Sequence, residues 1–336
     1  MSQTSAKLAI HVDGGTTVGL GHATRGIGLA EACKSLGFTV MFLIDPASGL
    51  KDFLSNRRQE VHVCEATPLG VLQAAQSIGA SALVIDSYRF DEAALRLLQN
   101  QGLLIICFDD QANRALPVDV VINGSPAAPS LTYDVGPDTH LLLDVAYQVV
   151  RPEFWPHVPR DYDTLVRSLF VSIGGSDLLG IFDPLIKFLD HHATSLLANV
   201  TIDFVLGHFG TAGDRPLAAN LRIQHSPKDM RSLMVKADLA ISAGGQTLYE
   251  LARCGTPTIA FCVGADQIPN LTALEQRGCI VNIGWASQPN WLDKLHQVLQ
   301  QLLVNPNQRA VLGKASSNLI DGKGATRIAK AIQSLI

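Results

Sequence analysis

Clustered positive charge is missing from this 336-residue sequence. The chain has 26 Lys and Arg against 30 Asp and Glu, a formal net charge of -4, and no basic run longer than a pair such as Arg57-Arg58. Proteins bind a polyanion such as DNA through many Lys and Arg side chains that neutralise its phosphates. We therefore expect no nucleic-acid partner.

Paired cysteines and long apolar runs are missing as well. None of the six cysteines belongs to a Cys-x-x-Cys pair, and most lie inside apolar runs, so we interpret them as reduced core residues. The longest apolar run, Leu103–Phe108, is far shorter than the roughly 20 residues of a membrane-spanning helix. The segment Met1–Lys7 lacks the apolar region of a signal peptide. These absences predict a soluble cytoplasmic protein without membrane insertion.

What the sequence does contain is a high apolar fraction, 47%, with 17% charged residues, as is typical of a compact enzyme. Short aliphatic runs alternate with segments of helical period, which predicts an α/β protein with parallel sheets. A helix is predicted from Gly21 to Leu36, ending at Gly37. The predicted strands are Lys7–Asp13, Thr39–Ile44, Ala82–Asp86, Leu103–Phe108, Val118–Ile122, Ser168–Ile173, Thr201–Leu206, Leu221–His225, Asp238–Ser242 and Thr258–Val263.

The chain length suits two domains rather than one. The proline-rich segment Arg151–Asp163 has neither helical nor strand period and is the best candidate for a linker. We expect a Rossmann-like N-terminal domain over residues 1–155 and a Rossmann-like C-terminal domain over residues 156–336. Periodicity does not decide on which of the two the last helix, Ala325–Ile336, packs.

The first glycine-rich segment follows the first predicted strand and opens the first helix. It reads Asp13-Gly-Gly-Thr-Thr-Val-Gly-Leu-Gly-His22-Ala-Thr-Arg25. Its glycines allow a ligand close to the backbone, and His22 falls near the carboxyl end of a parallel sheet, where open α/β folds bind ligands. Arg25 shares its helix face. The spacing does not match Gly-x-Gly-x-x-Gly, so no nicotinamide cofactor is expected. The plainer alternative is that His22 only begins the helix.

Two further glycine pairs follow predicted strands in the second half. They are Gly174-Gly175-Ser176-Asp177 and Gly244-Gly245-Gln246-Thr247, with Glu250 one turn later. Consecutive glycines expose backbone N–H groups at a helix start, which can bind a diphosphate without a lysine. Thr247 could add a hydroxyl donor, and Glu250 could accept from the ribose hydroxyls. The plainer alternative is a pair of tight turns between strand and helix.

Other polar residues stand at predicted strand ends: Asp86-Ser87-Tyr88, Asp109-Asp110 with Arg114, and Asn123. They are candidates for the wall of a ligand cleft, although the two adjacent aspartates could instead cap the segment that follows them. No further spacing supports a metal site, and His191-His192 in a polar stretch indicates solvated surface. We expect neither a metal nor a cofactor.

Taken together, these segments resemble the family of UDP-2,4-diacetamido-2,4,6-trideoxy-β-L-altropyranose hydrolases of pseudaminic acid biosynthesis, with related spore-coat polysaccharide proteins. The resemblance runs from near Ile10 to near Gly284 and includes Arg151-Pro-Glu-Phe154 besides the motifs above. It implies the GT-B fold, which the lipid II glycosyltransferase also has. In that fold two Rossmann-like domains with parallel sheets face a central cleft, and the C-terminal domain holds UDP.

The resemblance also implies a mechanism, in which His22 is the general base for a water molecule that attacks the anomeric carbon. Imidazole suits this proton transfer because its ordinary pKa lies close to physiological pH. UDP leaves from the opposite face with inversion, and N–H groups near Gly244 meet its charge. The candidate catalytic residues are His22, Asp13 and Tyr88. The candidate UDP and sugar ligands are Gly21, Arg25, Gly174, Gly175, Ser176, Asp177, Gly244, Gly245, Gln246, Thr247, Glu250, Asp266 and Gln267.

Two segments depart from the family pattern. Members carry Gly-Pro before the tyrosine of the segment written here Leu143-Asp144-Val145-Ala146-Tyr147, and Asn-Gln where this chain has Asp266-Gln267. An ionised carboxylate only accepts hydrogen bonds, whereas an amide also donates. We therefore hypothesise that Asp266 favours a different sugar, one with a free amine or hydroxyl donor.

Three functions stay open on the sequence. The first is an enzyme that hydrolyses a UDP-linked amino or deoxy sugar in nonulosonic acid or surface polysaccharide biosynthesis. The same fold also suits a glycosyltransferase, in which His22 deprotonates an acceptor hydroxyl, and a non-catalytic nucleotide-sugar-binding protein. The sequence does not determine the oligomeric state and is compatible with a monomer.

Overall fold

The computed structural model of the chain describes residues 6–15, 18–162, 165–175, 177, 179–213 and 215–336. The chain divides into two compact units. The first unit comprises Met1–Pro152 together with Lys323–Ile336, and the second unit comprises Glu153–Gly322. The last helix, which periodicity left unassigned, therefore belongs to the first unit.

The first unit contains nine strands and five α-helices in its described residues. The strands are β1 (Lys7–Val12), β2 (Thr39–Ile44), β3 (Glu60–Val63), β4 (Ala82–Asp86), β5 (Leu104–Phe108), β6 (Ala115–Leu116), β7 (Val120–Asn123), β8 (Asp134–Val135) and β9 (His140–Leu143). The helices are α1 (Gly21–Ser35), α2 (Leu50–Ser55), α3 (Pro68–Ser77), α4 (Glu92–Leu98) and the closing helix α11 (Gly324–Leu335). Helix α1 ends before Gly37, whose φ of +90° is a conformation that glycine adopts readily.

Seven of these strands form one parallel sheet in the order β3-β2-β1-β4-β5-β7-β9, while β6 pairs with β8. Ile10 of β1 pairs with Phe42 of β2 on one side and with Val84 of β4 on the other. The strand order reverses between β1 and β4, and parallel sheets bind ligands outside the carboxyl ends of strands at such a switch point. The ends of β1 and β4 are therefore the place to look for a site in this unit.

Helix α11 packs on α1 within the first unit. Its apolar face is buried, with Ile328 fully excluded from solvent. Gly324 begins the helix so close to Gln148 that a Cβ atom there would overlap the carbonyl group of that residue. Arg327 also donates to the carbonyl oxygen of Ala146 at 2.9 Å. These contacts explain why a segment at the far end of the chain completes the first unit.

The second unit contains six strands and six helices in its described residues. The strands are β10 (Ser168–Ser172), β11 (Thr201–Leu206), β12 (Leu221–His225), β13 (Leu239–Ala243), β14 (Thr258–Cys262) and β15 (Val281–Trp285). The helices are α5 (Phe182–Ala193), α6 (Met230–Lys236), α7 (Gln246–Arg253), α8 (Ile268–Gln276), α9 (Trp291–Val304) and α10 (Pro306–Leu319). The core includes Leu185 of α5, Phe204 of β11 and Leu295 of α9.

The six strands form a parallel sheet in the order β12-β11-β10-β13-β14-β15. Ser172 of β10 pairs with Ser242 of β13, so these two neighbouring strands end at the same level. The order reverses between them, as it does between β1 and β4 of the first unit. The predicted α/β class with parallel sheets in two Rossmann-like units is therefore confirmed.

The proline-rich segment predicted as a linker is anchored to the second unit at its described residues. The guanidinium group of Arg160 donates to the carbonyl oxygens of Met234, Val235, Ala237 and Cys254. The hydroxyl of Tyr162 donates to the carbonyl oxygen of Gly255 at 2.9 Å. Carbonyl groups at the ends of α6 and α7 are the natural partners of such donors. These hydrogen bonds make the end of the segment part of the second unit.

All six cysteines are free. Burial raises the pKa of the Cys33, Cys107 and Cys254 thiols to about 12, which keeps these thiols protonated and unreactive. Within the described residues, none of the helices combines the length and the apolar character that crossing a membrane requires.

Candidate functional site

Aspartates end neighbouring strands of the first sheet. Asp13 follows β1, Asp45 follows β2, Asp86 ends β4, and Asp109 with Asp110 follows β5. Because these strands are parallel neighbours, the carboxylates lie along one edge of the sheet around its switch point. The chemistry of this edge depends on how each carboxylate is paired.

His22 lies on the first turn of α1 and contacts Asp86. Its Nδ1 is 2.5 Å from Oδ1 of Asp86, and both side chains are buried. Against an ionised carboxylate Nδ1 carries the proton and donates it, so the lone pair is on Nε2. Among the described residues Nε2 has no hydrogen-bond partner. Gly21 precedes it, where a Cβ atom would meet nothing within 4 Å. His22 is thus oriented to accept a proton at Nε2.

The protonation of this pair is set by neighbouring charges. Burial alone would lower the pKa of His22, but the charge and hydrogen bond of Asp86 outweigh burial and raise it above its ordinary value. Burial would likewise raise the pKa of Asp86, but the charges of Arg25 and His22 hold it well below its usual range. An imidazole beside a permanently ionised carboxylate is an arrangement suited to general-base catalysis.

Arg25 lies three residues after His22 and directs its guanidinium group to two carboxylates. Its Nε donates to Oδ2 of Asp86 at 2.9 Å and its Nη2 to Oδ1 at 2.7 Å, a bidentate pair. Its Nη1 donates to both oxygens of Asp110, at 2.9 and 3.0 Å. The guanidinium carbon also lies 4.5 Å from the centre of the Phe108 ring. The residue predicted to bind substrate thus directs all three of its nitrogens to carboxylates of the protein.

Tyr88 stands beside His22 at the same edge. The two rings meet edge-on, with centroids 5.2 Å apart. The phenolic hydroxyl donates to Oδ2 of Asp110 at 3.1 Å. Tyr88 is 41% exposed, so its ring presents an apolar surface next to the imidazole. The structure therefore brings together two of the three predicted catalytic residues.

Asp13, the third predicted catalytic residue, belongs to a separate network. Ser87 donates its hydroxyl to Oδ2 of Asp13 at 2.6 Å, and Arg89 donates to Oδ1 through Nε and Nη2, at 3.0 and 2.5 Å. Asp45 lies 3.7 Å from Nη1 of the same arginine. Ser87 and Arg89 flank Tyr88 in sequence, so this network holds the loop that presents the tyrosine ring. Among the described residues we find no hydrogen bond between Asp13 and the imidazole.

The remaining polar strand ends of this unit are structural. The carboxylate of Asp109 accepts from the backbone N–H groups of Gln111 and Ala112, at 3.1 and 2.6 Å, as the capping alternative predicts. Its other oxygen lies 3.2 Å from Nη2 of Arg114. Asn123 accepts from the backbone of Ser125 at 2.9 Å. These side chains shape the turns after β5 and β7.

Asp144, in one of the two segments that depart from the family pattern, also lies in a turn. This residue has a φ of +83°, a region that glycine adopts without strain and other residues rarely enter. Its carboxylate accepts from the N–H of Val145 at 2.7 Å, which satisfies the local backbone. Its own N–H donates to the carbonyl oxygen of Asn123 at 3.0 Å. The aspartate thus fills a glycine-like position with a self-capping turn.

The glycine pairs of the second unit occupy the matching edge of its sheet. Gly174 and Gly175 follow β10, and Gly244 and Gly245 follow β13, the two strands at the switch point. Gly245 is the N-cap residue of α7 and has no side chain of its own with which to cap the helix. The N–H groups of a first helical turn and its dipole favour an anion there. This edge therefore has the features of a diphosphate site.

In the first glycine motif of this unit, Gly174 shapes the backbone and Asp177 caps a helix. Gly174 has a φ of +97°, and its N–H donates to the hydroxyl of Ser172 at 3.3 Å. The carboxylate of Asp177, predicted to bind substrate, accepts from the N–H groups of Ile181 and Phe182 at 2.8 and 3.0 Å. It caps the start of α5 in this way. Ser176, also predicted to bind substrate, lies outside the described residues.

The second glycine motif leads into the first turns of α7. Gln246 and Thr247 begin the helix, and Glu250 lies one turn later with 2% of its surface exposed. The hydroxyl of Tyr249 donates to Oδ1 of Asn270 at 2.6 Å and so connects α7 to α8. The carboxylate of Glu250 is therefore held inside the unit, behind the turn that starts the helix.

Asp266 and Gln267 lie beyond β14, the next strand after β13 in the sheet. They belong to the short 3-10 turn Ala265–Gln267, in which Asp266 is exposed. Oε1 of Gln267 accepts from the N–H of Val263 at 3.1 Å. A Cβ atom at Gly244 would lie 3.1 Å from the same oxygen, so Gln267 borders the glycine pair directly.

Three residues that make contacts at these sheet edges were not predicted from the sequence: Asp45, Arg89 and Asn270. Asp45 follows a strand just as Asp13 does, so its position was an available signal. Arg89 and Asn270 gave no signal, because each contacts a partner far away in sequence, 76 and 21 positions respectively. In the part of the chain that the structure describes, no group of three or more His, Cys, Asp or Glu side chains is placed to hold a metal ion.

Known proteins resemble this chain at low sequence identity. Residues 214–332 match the glycosyltransferase family 28 C-terminal domain. The spore coat polysaccharide biosynthesis protein SpsG of Bacillus subtilis (strain 168) is 24% identical over 98% of each chain. A Helicobacter pylori protein named pseudaminic acid cytidylyltransferase and UDP-2,4-diacetamido-2,4,6-trideoxy-beta-L-altropyranose hydrolase is 23% identical over 85% of this chain and 54% of its own length.

The fold has a counterpart among solved structures. Spinosyn forosaminyltransferase SpnP superimposes with a TM-score of 0.71 at 11% identity and covers 99% of both chains. At this identity the likeness shows the fold alone, which is the predicted GT-B class of α/β protein. In sequence the chain is thus similar to a glycosyltransferase domain over residues 214–332, and to SpsG and the Helicobacter pylori protein over most of its length.

Proposed function

We propose that the protein transfers a sugar from UDP to an acceptor hydroxyl group, with His22 as the general base. The observation that carries this proposal is the contact between His22 and Asp86, which leaves Nε2 of a buried imidazole without a partner among the described residues. An inverting transfer needs one base for the attacking hydroxyl, and a nucleoside diphosphate leaves without a carboxylic acid to protonate it.

We assign the nucleotide to the second unit. Two glycine pairs and the start of α7 supply backbone N–H groups at the switch point of its sheet. Gln246 and Thr247 would add donors, whereas Glu250, which the sequence predicts to accept from the ribose hydroxyls, is only 2% exposed and is not assigned to the nucleotide. The matching edge of the first unit is lined by aspartates, which would repel a diphosphate, so its role is with the base and the neutral or cationic part of the substrate.

The proposed step is a single displacement. The acceptor oxygen attacks the anomeric carbon while its proton moves to Nε2 of His22. The bond from the anomeric carbon to the β-phosphate oxygen breaks, and UDP takes the bonding electrons. Asp86 stabilises the imidazolium that forms, because its carboxylate stays ionised beside Nδ1. The product sugar has the inverted anomeric configuration.

Hydrolysis is the second candidate, with water in place of the acceptor hydroxyl. The observation in its favour is the Helicobacter pylori relative, whose name includes a UDP-sugar hydrolase and which aligns with 85% of this chain. The same base and the same nucleotide site serve both reactions. The nucleophile is the only chemical difference between them.

The deciding experiment measures UDP release from UDP-N-acetylglucosamine and from the diacetamido-trideoxy UDP-sugar, with and without saccharide acceptors. Release that requires an acceptor supports transfer. Stoichiometric release in buffer alone supports hydrolysis. Binding of UDP-sugar without turnover in either condition contradicts both enzymes and leaves the non-catalytic binding protein. His22→Ala serves as the control that ties any turnover to the proposed base.

A further inference from the structure

Each nitrogen of the Arg25 guanidinium group donates to a carboxylate of the protein. Its three nitrogens make four hydrogen bonds of 2.7 to 3.0 Å, two to Asp86 and two to Asp110. Only 12% of its side chain is exposed, and Phe108 covers one face of the guanidinium group. A phosphate would have to displace a carboxylate to reach it. Arg25 is therefore poorly suited to bind the substrate directly.

We propose instead that Arg25 is a positioning residue that holds Asp86 against His22 and sets the pH at which Nε2 becomes available as a base. This inference rests on the proposed role of His22. The geometry is specific, because Oδ1 of Asp86 accepts from both Nδ1 of His22, at 2.5 Å, and Nη2 of Arg25, at 2.7 Å. The bidentate contact fixes the carboxylate plane, so the shared oxygen stays aimed at the imidazole.

The placement of Arg25 follows from the helix. His22 and Arg25 are three residues apart in α1 and so project from one face toward the end of β4. A single buried carboxylate, 1% exposed, receives both side chains. An arginine meets this geometry because its planar fork fits two carboxylate oxygens at once, whereas a lysine offers one charged point.

The charges that face His22 act in opposite directions. Asp86 from β4 and Asp110 from the turn after β5 both favour the imidazolium, and Arg25 from α1 opposes it. Tyr88 faces the ring edge-on, with centroids 5.2 Å apart. Removing Arg25 would favour the imidazolium twice, because its positive charge disappears and Asp86 loses a competing partner. Removing the charge of Asp110 would have the opposite effect on the pKa of His22.

The test is an NMR titration of the His22 imidazole in the full chain, with its signal assigned by His22→Gln. In Arg25→Met we expect the measured pKa to rise by about one pH unit, and in Asp110→Asn we expect it to fall. Arg25→Lys keeps the charge, so its pKa should stay near that of the unaltered protein, while turnover falls because the bidentate contact is lost. Circular dichroism verifies that each variant is folded.

Two outcomes overturn the inference: a His22 pKa that does not change in folded Arg25→Met, or shifts of the same sign in Arg25→Met and Asp110→Asn. If Arg25→Met does not fold, Asp110→Asn and Arg25→Lys still decide it. An arginine that did not act on the pair of Asp86 and His22 would leave the His22 pKa unchanged in Arg25→Met. The titration needs no substrate, so it remains decisive even if the proposed transfer of a sugar is wrong. In that case the titration gives the expected shifts while no UDP-sugar is turned over.

Discussion

Leu271 borders the space that a side chain at Gly244 would occupy, whereas the neighbouring position, Gly245, faces open space. A Cβ atom at position 244 would lie 3.0 Å from both Cγ and Cδ1 of Leu271, and one at position 245 would meet nothing within 4 Å. A side chain at position 244 would therefore require Leu271 to move by a few tenths of an ångström. Position 245 is free to accept a methyl group without disturbing the fold, at the point where α7 begins.

Gly245→Ala should therefore weaken UDP binding without lowering stability. The added methyl group would occupy the space that we assign to the diphosphate, and we expect at least a tenfold rise in Kd, about 1.4 kcal/mol. Isothermal titration calorimetry with UDP gives the Kd, and urea unfolding gives the stability. Gly213→Ala is the control, since Gly213 also has open space but lies in an exposed loop of the same unit. Equal UDP affinity in both variants would remove the glycine pair from the nucleotide site.

Turnover should increase as the pH rises through the pKa of His22, because Nε2 accepts a proton only when the ring is neutral. Asp86 raises that pKa above its ordinary value of 6.5, so the midpoint should lie above 6.5. In Asp86→Asn the midpoint should move to lower pH, and kcat should fall by about 10² to 10⁴. The pH dependence of kcat/KM measures both effects. His191→Gln, at an exposed position outside the site, should leave the profile unchanged.

Arg89→Ala should destabilise the first unit more than the loss of an ordinary surface ion pair. It leaves the buried carboxylate of Asp13 with Ser87 as its remaining side-chain donor among the described residues. We expect a loss of about 1–3 kcal/mol, as for a buried polar group that loses a partner. Arg96→Ala removes an exposed contact with Glu92 one turn away and should lose about 0.3–0.5 kcal/mol. Equal losses in the two variants, measured by urea unfolding, would contradict this account.

The pairing of His22 with Asp86 should make stability depend on pH. Because the pKa of His22 is raised in the folded protein, its contribution is fully present below the ordinary value of 6.5 and is lost as pH rises through the folded value. His22→Gln should therefore destabilise the protein more near pH 5.5 than near pH 9. Urea unfolding at the two pH values tests this. A larger loss at the higher pH would reverse the assigned sign.

Asp266→Asn should change the order in which UDP-sugars are used. The exposed carboxylate of Asp266 lies at the sheet edge beside Gln267, which borders Gly244. An amide both donates and accepts, so the variant should lose preference for a sugar with a free amine and gain activity toward N-acetylated ones. Relative kcat/KM across a panel of UDP-amino-sugars gives the order. An unchanged order would show that this position does not contact the sugar.

The central strands could be predicted from the sequence because a strand that is buried on both faces consists of consecutive apolar residues. Thr39–Ile44 and Thr201–Leu206 are strands over the predicted residues. The sequence did not predict the short pair β6 and β8, and the three strands that it missed in the two large sheets, β3, β9 and β15, all lie at sheet edges. There one side is unpaired and side chains such as Glu60 and His140 are exposed, so the apolar signal is weak.

The candidate site could be predicted as a set of positions, but not as a set of partners. Strand ends and glycine pairs identified His22, Asp86 and Gly244, since parallel sheets gather such residues at one edge. Nothing in the sequence showed that all the guanidinium nitrogens of Arg25 would donate to Asp86 and Asp110, which lie 61 and 85 positions away. Pairing over such distances is decided by the register of the sheet, which residue types alone do not specify.

Helix α11 completes the first unit although it is made after the whole of the second unit. During synthesis the second unit can therefore close while the face of α1 that receives α11 is still bare. In a fragment that ends at Pro152, the apolar face of α1 that receives α11 would be exposed to water. Removing α11 from the C-terminal end of the chain would therefore disrupt the first unit rather than the second unit, which precedes α11 in the sequence. The second unit, whose synthesis begins later, can therefore complete its fold before the first unit does.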